Sequence, residues 1–203
     1  MRLLPLVLLA CAAQVSAANL VVNGDFESIN IGNQLFQTFN QGDPSLTGWT
    51  IDAPSPSQGI DIISNRTGCI SCANTGQQAV DMSGSPGPGF IYQDIPTTPG
   101  GVYTLSFWAS SNVGPFVGGL TIAWNLSTLD TVTTPVQGVW LPFQYTVTAT
   151  ASVTRLEFFS NVGGNAGPFL DTVSLDAAVP EPSSIFLLLG SIAALPLIRR
   201  RNR

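Results

Sequence analysis

Val102-Tyr103-Thr104-Leu105-Ser106-Phe107-Trp108-Ala109 alternates between apolar and polar residues with period two. In an extended chain successive side chains point to opposite faces, so Tyr103, Leu105, Phe107 and Ala109 share one face while Thr104, Ser106 and Trp108 share the other. The stretch reads as a half-buried strand. The same reading holds for Gly119-Leu120-Thr121-Ile122-Ala123-Trp124, Leu141-Pro142-Phe143-Gln144-Tyr145-Thr146-Val147-Thr148 and Thr154-Arg155-Leu156-Glu157-Phe158-Phe159. Clusters such as Ser83-Gly84-Ser85-Pro86-Gly87-Pro88-Gly89 and Gly163-Gly164-Asn165-Ala166-Gly167-Pro168 separate the strands as turns and loops. Outside the two terminal hydrophobic segments no stretch of useful length has helical period. Many short strands spaced by turn clusters predict an all-β, antiparallel β-sandwich.

Low charge can signal disorder, but 44% of the chain is hydrophobic and its apolar residues alternate in short runs, so it folds. Residues 19–178 suffice for one domain with a sizeable core and contain no internal repeat. This region has two arginines, Arg66 and Arg155, against eleven acidic residues, a net charge of −9. Nucleic acid is an unsuitable partner for such a surface. The chain has neither lysine nor histidine, which excludes a histidine-based catalytic triad and a histidine-rich zinc site.

Both ends point to export. Met1-Arg2, the apolar residues 3–10 and Val15-Ser16-Ala17 read as a secretory signal peptide over 1–17. Lipoprotein processing at Cys11 competes with this reading, but Leu9 is bulky for the position two before the cysteine. At the other end, over 179–203, Pro180-Glu181-Pro182 precedes an apolar run over 185–198 and the cluster Arg199-Arg200-Arg201-Asn202-Arg203. This order closely resembles the PEP-CTERM sorting tail of Gram-negative bacteria. The resemblance implies an exosortase substrate, held transiently in the inner membrane and delivered to the cell surface or extracellular matrix. Arginines following an apolar helix are held on the cytoplasmic side, which leaves the body of the protein outside. Fourteen helical residues span about 21 Å against a hydrocarbon core of about 30 Å, so the segment suits a transient hold. An ordinary single-pass anchor without processing is the alternative.

Within the domain, Asn19-Leu20-Val21-Val22-Asn23-Gly24-Asp25-Phe26-Glu27, Gly48-Trp49-Thr50-Ile51 and Leu170-Asp171-Thr172-Val173-Ser174-Leu175 resemble galactose-binding-type jelly rolls. The order NGDFE, GW, GQQAVDM, IYQDI, YTLSFWAS, LDTVSL is especially similar to bacterial choice-of-anchor C domains and to plant cell-wall proteins with the same domain. Carbohydrate-binding modules are among the relatives of that fold. The resemblance implies a jelly roll, a bound polysaccharide, and a structural calcium ion at Asp25, Glu27 and Asp171. Carboxylates brought together from distant segments repel one another unless a cation neutralises them. The alternative is that they bond locally to turns, as Asp commonly does.

Cys69 and Cys72 form a CxxC pair open to redox, zinc or disulfide roles. With no second pair, no histidine and an oxidising compartment, a loop-stiffening disulfide is expected. Trp49 and Trp124 read as core. Trp108 stands on the polar side of its strand, and the sheet order of related modules implies that Thr121, Asn125, Gln144, Arg155 and Glu157 join it there. An aromatic ring covering the C–H face of a pyranose beside hydrogen-bonding groups is the chemistry of sugar recognition. A loop or sheet covering Trp108 is the alternative. Three classes follow: a non-catalytic polysaccharide-binding protein of exopolysaccharide and biofilm; a purely structural matrix protein; and a hydrolase using Asp171 with Glu157. Asn65-Arg66-Thr67 and Asn125-Leu126-Ser127 match glycosylation acceptors, a motif that carries no information in a bacterium without a dedicated glycosylation system.

Overall fold

A computed structural model of the chain describes residues 18–66, 68, 69 and 71–178. The signal segment, Cys11 and the sorting tail lie outside the described residues. Among the described residues there are eleven strands: β1 Phe36–Asn40, β2 Thr50–Asp52, β3 Gly59–Ser64, β4 Gln78–Asp81, β5 Phe90–Pro96, β6 Val102–Ser111, β7 Phe116–Trp124, β8 Ser127–Thr134, β9 Leu141–Thr148, β10 Val153–Ser160 and β11 Pro168–Ala177. They pair antiparallel in a six-stranded sheet, β1-β3-β4-β11-β6-β9, and a five-stranded sheet, β2-β5-β10-β7-β8. No helix among the described residues is long and apolar enough to cross a membrane.

The period-two runs are strands β6, β7, β9 and β10. Along β6, Tyr103, Leu105, Phe107 and Ala109 are buried and Trp108 is half-buried, as the alternation requires. The core lies between the sheets, with Ile60, Ile62, Val80 and Leu170 from one side and Ile91, Leu120, Ile122 and Leu156 from the other. An aromatic chain runs through it: Phe26 lies 5.7 Å from Trp49, Trp49 6.2 Å from Phe158, and Phe158 5.1 Å from Phe107.

The opening segment is fastened to the closing strand. Leu20 N donates to Leu175 O at 2.9 Å and Val173 N to Gly24 O at 2.8 Å, while Asn19 bonds the backbone of both Val173 and Leu175. A side chain at position 24 would collide with the Val173 carbonyl, so glycine is required there. Trp49 Nε1 donates to Asn23 O at 3.0 Å, which fixes the GW segment on the NGDFE segment.

A loop then covers part of the outer face of the six-stranded sheet. Ile63, Ala79 and Phe169, which point away from the main core, form a second buried cluster with Cys69, Cys72 and Ala73. Trp140 packs on Phe169 at 6.4 Å and donates from Nε1 to Ser71 O at 3.0 Å. Cys69 and Cys72 are joined by a disulfide, and Gln137 Nε2 donates to the two sulfurs at 3.4 and 3.5 Å.

Candidate functional site

The structure divides the six residues expected on one face. Trp108 and Gln144 lie on the outer face of the six-stranded sheet, because β6 pairs with β9 and β11; Trp108 stands opposite Pro142 and Asp171, and Gln144 opposite Ser106. Thr121, Arg155 and Glu157 lie on the outer face of the five-stranded sheet, because β10 pairs with β7 on one side and with β5 on the other. Asn125 sits in the β7–β8 turn with φ +53°, its Nδ2 donating to Thr150 Oγ1 at 2.9 Å. A single face holding all six does not exist. The same division separates Asp171 from Glu157, which stand on opposite sides of the sandwich and cannot flank one glycosidic bond.

A groove of about 210 Å³ opens on the outer face of the six-stranded sheet beside the disulfide loop. Its apolar lining is Leu35, Phe36, Ile63 and Phe169, and its polar lining is Asp61, Asp81, Ser85, Asn112, Gln137 and Asn165. Asp61 and Asp81 are directly opposite in the β3–β4 ladder, which puts their Cβ atoms about 4.5–5.5 Å apart. Both are buried. Asp61 accepts from Ser85 N at 3.2 Å and Ser85 Oγ at 2.9 Å. Asp81 accepts from Ser83 N at 2.9 Å, Gly167 N at 3.0 Å and Asn112 Nδ2 at 2.7 Å. Burial nevertheless pushes the Asp81 carboxyl up to about 7, with the Asp61 charge adding to the push against those hydrogen bonds. Phe36 is 46% exposed, leaving its ring open at the rim.

The expected calcium ligands have other partners. Both oxygens of Asp171 are engaged by amides: Oδ2 accepts from Asn74 N at 2.8 Å and Thr75 N at 2.9 Å, and Oδ1 from Thr172 N at 2.6 Å. Glu27 Oε1 accepts from Gln77 N at 2.6 Å and Gln78 N at 2.7 Å. Asp25 is exposed and accepts from Glu27 N at 3.4 Å. Successive amides of one loop thus serve two carboxylates from opposite ends of the domain. Among the described residues no three acidic or cysteine side chains gather as a metal site. Burial pushes Asp171 up to about 7, against the hydrogen bonds from Thr75, Asn74 and Thr172.

The outer face of the five-stranded sheet carries an aromatic stripe. Phe90 and Phe159 are register partners with ring centroids 4.9 Å apart, and Tyr92 follows 6.5 Å from Phe90. The Arg155 guanidinium lies 3.8 Å over the Tyr92 ring and makes two hydrogen bonds to Asp94, at 2.7 and 2.8 Å. Asp94 is thereby held below the ordinary carboxylate range, whereas burial raises Glu157.

The sequence reading missed Phe36, Asp61, Asp81, Phe90, Tyr92 and Phe159. For the two aspartates a signal existed: each is a lone acid in an apolar stretch, Ile60-Asp61-Ile62 and Val80-Asp81-Met82.

A protein family described as DUF642, protein of unknown function, matches residues 19–176. No curated protein matches the chain. Among solved structures, the module TmCBM61 in complex with β-1,4-galactotriose superposes with TM-score 0.52 at 16% identity, covering 79% of this chain and 99% of that one. A family 16 carbohydrate-binding module superposes with TM-score 0.50 at 17% identity, covering 77% and 99%. The arabinose-bound α-L-arabinofuranosidase MgGH51 gives TM-score 0.54 at 14% identity over 82% of this chain, which spans only 27% of that enzyme. At these identities the likeness establishes the jelly-roll fold.

The two raised aspartates set a pH dependence. A carboxyl whose folded value is about 7 and whose unfolded value is about 3.9 binds its proton more tightly when folded, so its stabilisation is present at low pH and lost as pH rises through 7. Asp94, shifted the other way, stays ionised in both states above pH 5 and leaves this window unchanged. Thermal melts should therefore show a midpoint several degrees higher at pH 5 than at pH 8, with about 2 kcal/mol from Asp81. Asp81→Asn should remove part of that slope; a flat profile between pH 5 and 8 would contradict the assignment.

Proposed function

The chain belongs to the DUF642 family, and from that premise we propose that residues 19–178 are a non-catalytic glycan-binding module whose site is the groove of the six-stranded sheet. The carrying observation is the buried Asp61–Asp81 pair in the wall of an open groove. Two like-charged groups placed opposite each other weaken the fold at neutral pH, and such a cost is characteristic of a site. Carboxylates accept hydrogen bonds from neighbouring hydroxyls, Asn112, Gln137 and Asn165 offer amides, and the exposed ring of Phe36 covers a C–H face. At about 210 Å³ the groove is smaller than the roughly 300–1,000 Å³ of a pocket enclosing a whole ligand, so it suits one residue of a chain running over the surface. Trp108 and Gln144, on the same sheet face, are proposed as outer contacts. The fold likeness to two carbohydrate-binding modules supports the reading without naming a ligand.

Around that module we retain the export reading: a signal peptide over 1–17, an exosortase acting at Pro180-Glu181-Pro182, and a destination at the surface or in the biofilm matrix of a Gram-negative bacterium, among exopolysaccharide. A structural calcium ion at Asp25, Glu27 and Asp171 is also a proposal, and it requires the 74–78 loop to turn its amides away from the carboxylates.

Three measurements test these readings. In affinity electrophoresis, soluble β-1,4-galactan or another neutral glycan should retard the protein, and Phe36→Ala should weaken binding at least tenfold. The same change should alter stability by less than about 0.5 kcal/mol, as expected of a surface anchor. Unaltered binding by Phe36→Ala would move the site elsewhere, and released reducing sugar would replace binding with hydrolysis. Intact mass of surface-extracted protein should lack Arg199-Arg200-Arg201-Asn202-Arg203; their retention would make the tail a permanent anchor. For calcium, a thermal midpoint that falls by several degrees with chelator and recovers with the ion would establish the site, because a ligand of the folded state stabilises by mass action. An unchanged midpoint would leave the loop amides as the sole partners of Glu27 and Asp171.

A further inference from the structure

We infer that the outer face of the five-stranded sheet is a second site for an uncharged glycan, so that one domain joins two glycan chains. The bridging rests on the groove reading above, whereas the second site stands on its own observations.

The face holds an open hollow of about 390 Å³ lined by Pro54, Pro88, Phe90, Thr121, Phe159 and Asn161. Phe90 and Phe159, both half-buried and 4.9 Å apart, form its aromatic floor. Along one flank Asn161 Nδ2 donates to Thr121 Oγ1 at 2.8 Å and to Gly118 O at 2.8 Å, and Thr121 Oγ1 lies 3.0 Å from Thr131 Oγ1. These bonds fix the orientation of an exposed amide beside the rings before any ligand arrives. Rings that take a C–H face beside a fixed polar flank match the two-sided chemistry of a pyranose.

Charge selects the class of glycan. Among the described residues the one cation near the stripe, Arg155, is engaged by both oxygens of Asp94 and by the Tyr92 ring. Glu157, on the same face, adds a carboxylate. Among the described residues no cation is left on this face for a uronate or sulfate, and an acidic chain would meet like charge. The fitting occupant is neutral.

The geometry then has a functional consequence. The hollow and the groove lie on the two outer faces of a sandwich whose sheets pack about 10 Å apart, pointing in opposite directions. A chain bound in one runs away from the other, so a doubly occupied domain cross-links two chains rather than gripping one chain twice.

The test uses the purified protein with soluble β-1,4-galactan, and with polygalacturonate as the acidic control. The proteins are the wild type, Phe36→Ala in the groove, Phe159→Leu or Asn161→Ala in the hollow, and a double variant carrying Phe36→Ala with Asn161→Ala. Affinity electrophoresis reads binding, and light scattering of the galactan solution reads cross-linking. The wild type is expected to bind and cross-link galactan and to ignore polygalacturonate. Each single-face variant should still bind, at least tenfold more weakly, while cross-linking is lost. The double variant should do neither. Asn161 is exposed, so its replacement leaves the fold intact and serves if Phe159→Leu does not fold. Cross-linking undiminished in both hollow variants overturns the second site. Binding abolished by a hollow variant and untouched by Phe36→Ala overturns the groove and the bridging, leaving the hollow as the single site. A preference for polygalacturonate overturns the charge argument, and a wild type retarded by neither polymer overturns both sites.

Discussion

The docking of one disulfide-closed loop onto the outer face of the six-stranded sheet governs the rest of this domain. Ile63, Ala79 and Phe169 would be exposed apolar side chains on a bare sheet; Cys69, Cys72, Ala73 and Trp140 bury them. The same docking raises one wall of the groove, while the segments carrying Ser83, Ser85, Asn112 and Gly167 close over the ladder in which Asp61 faces Asp81. A carboxylate pair on an open sheet would be hydrated and would titrate ordinarily. Enclosed by those segments, Asp81 is pushed to about 7.

The far end of the loop is held by hydrogen bonds to two carboxyl groups rather than by apolar contact. Its amides at 74, 75, 77 and 78 bond to Asp171 from the last strand and to Glu27 from the opening segment. The ends of the domain and the loop are therefore one connected unit: the backbone ladder from Leu20 and Gly24 to β11 sets the distance, and the two carboxylates hold the loop against it. Oriented backbone dipoles favour negative charge as a cation does, but at Asp171 burial outweighs them.

The fold was legible where one face of a strand meets the core and the other meets water. Strands β6, β7, β9 and β10 satisfy that condition and show period two. Strands β3 and β4 do not, since the loop covers their second face and every residue in both is buried. Strand β8, with Ser127, Thr128, Asp130 and Thr131 exposed at a sheet edge, lacked enough apolar residues to signal itself. The site was legible only in part. Phase assigned Trp108 correctly to the side of β6 away from the core, but phase within a strand does not say which sheet the strand joins. Pairing decided that, and it placed Thr121, Arg155 and Glu157 across the sandwich from Trp108 and Gln144. The Asp61–Asp81 contact depends on the register of two strands whose nearest rung, Ser64 with Gln78, already joins residues fourteen apart, information no local pattern carries.

A protein with a polar groove on one face and an aromatic hollow on the other has a use for its sparse charge: a surface without lysine avoids binding acidic polymers indiscriminately. The central claim is that the groove is where a glycan is read. Its most direct test is a titration of isotope-labelled protein with a soluble neutral glycan, followed by backbone and side-chain amide resonances. Shifts at Ser85, Asn112, Gln137 and Asn165 are the expected result. Silence at those four residues while the glycan binds elsewhere would contradict it.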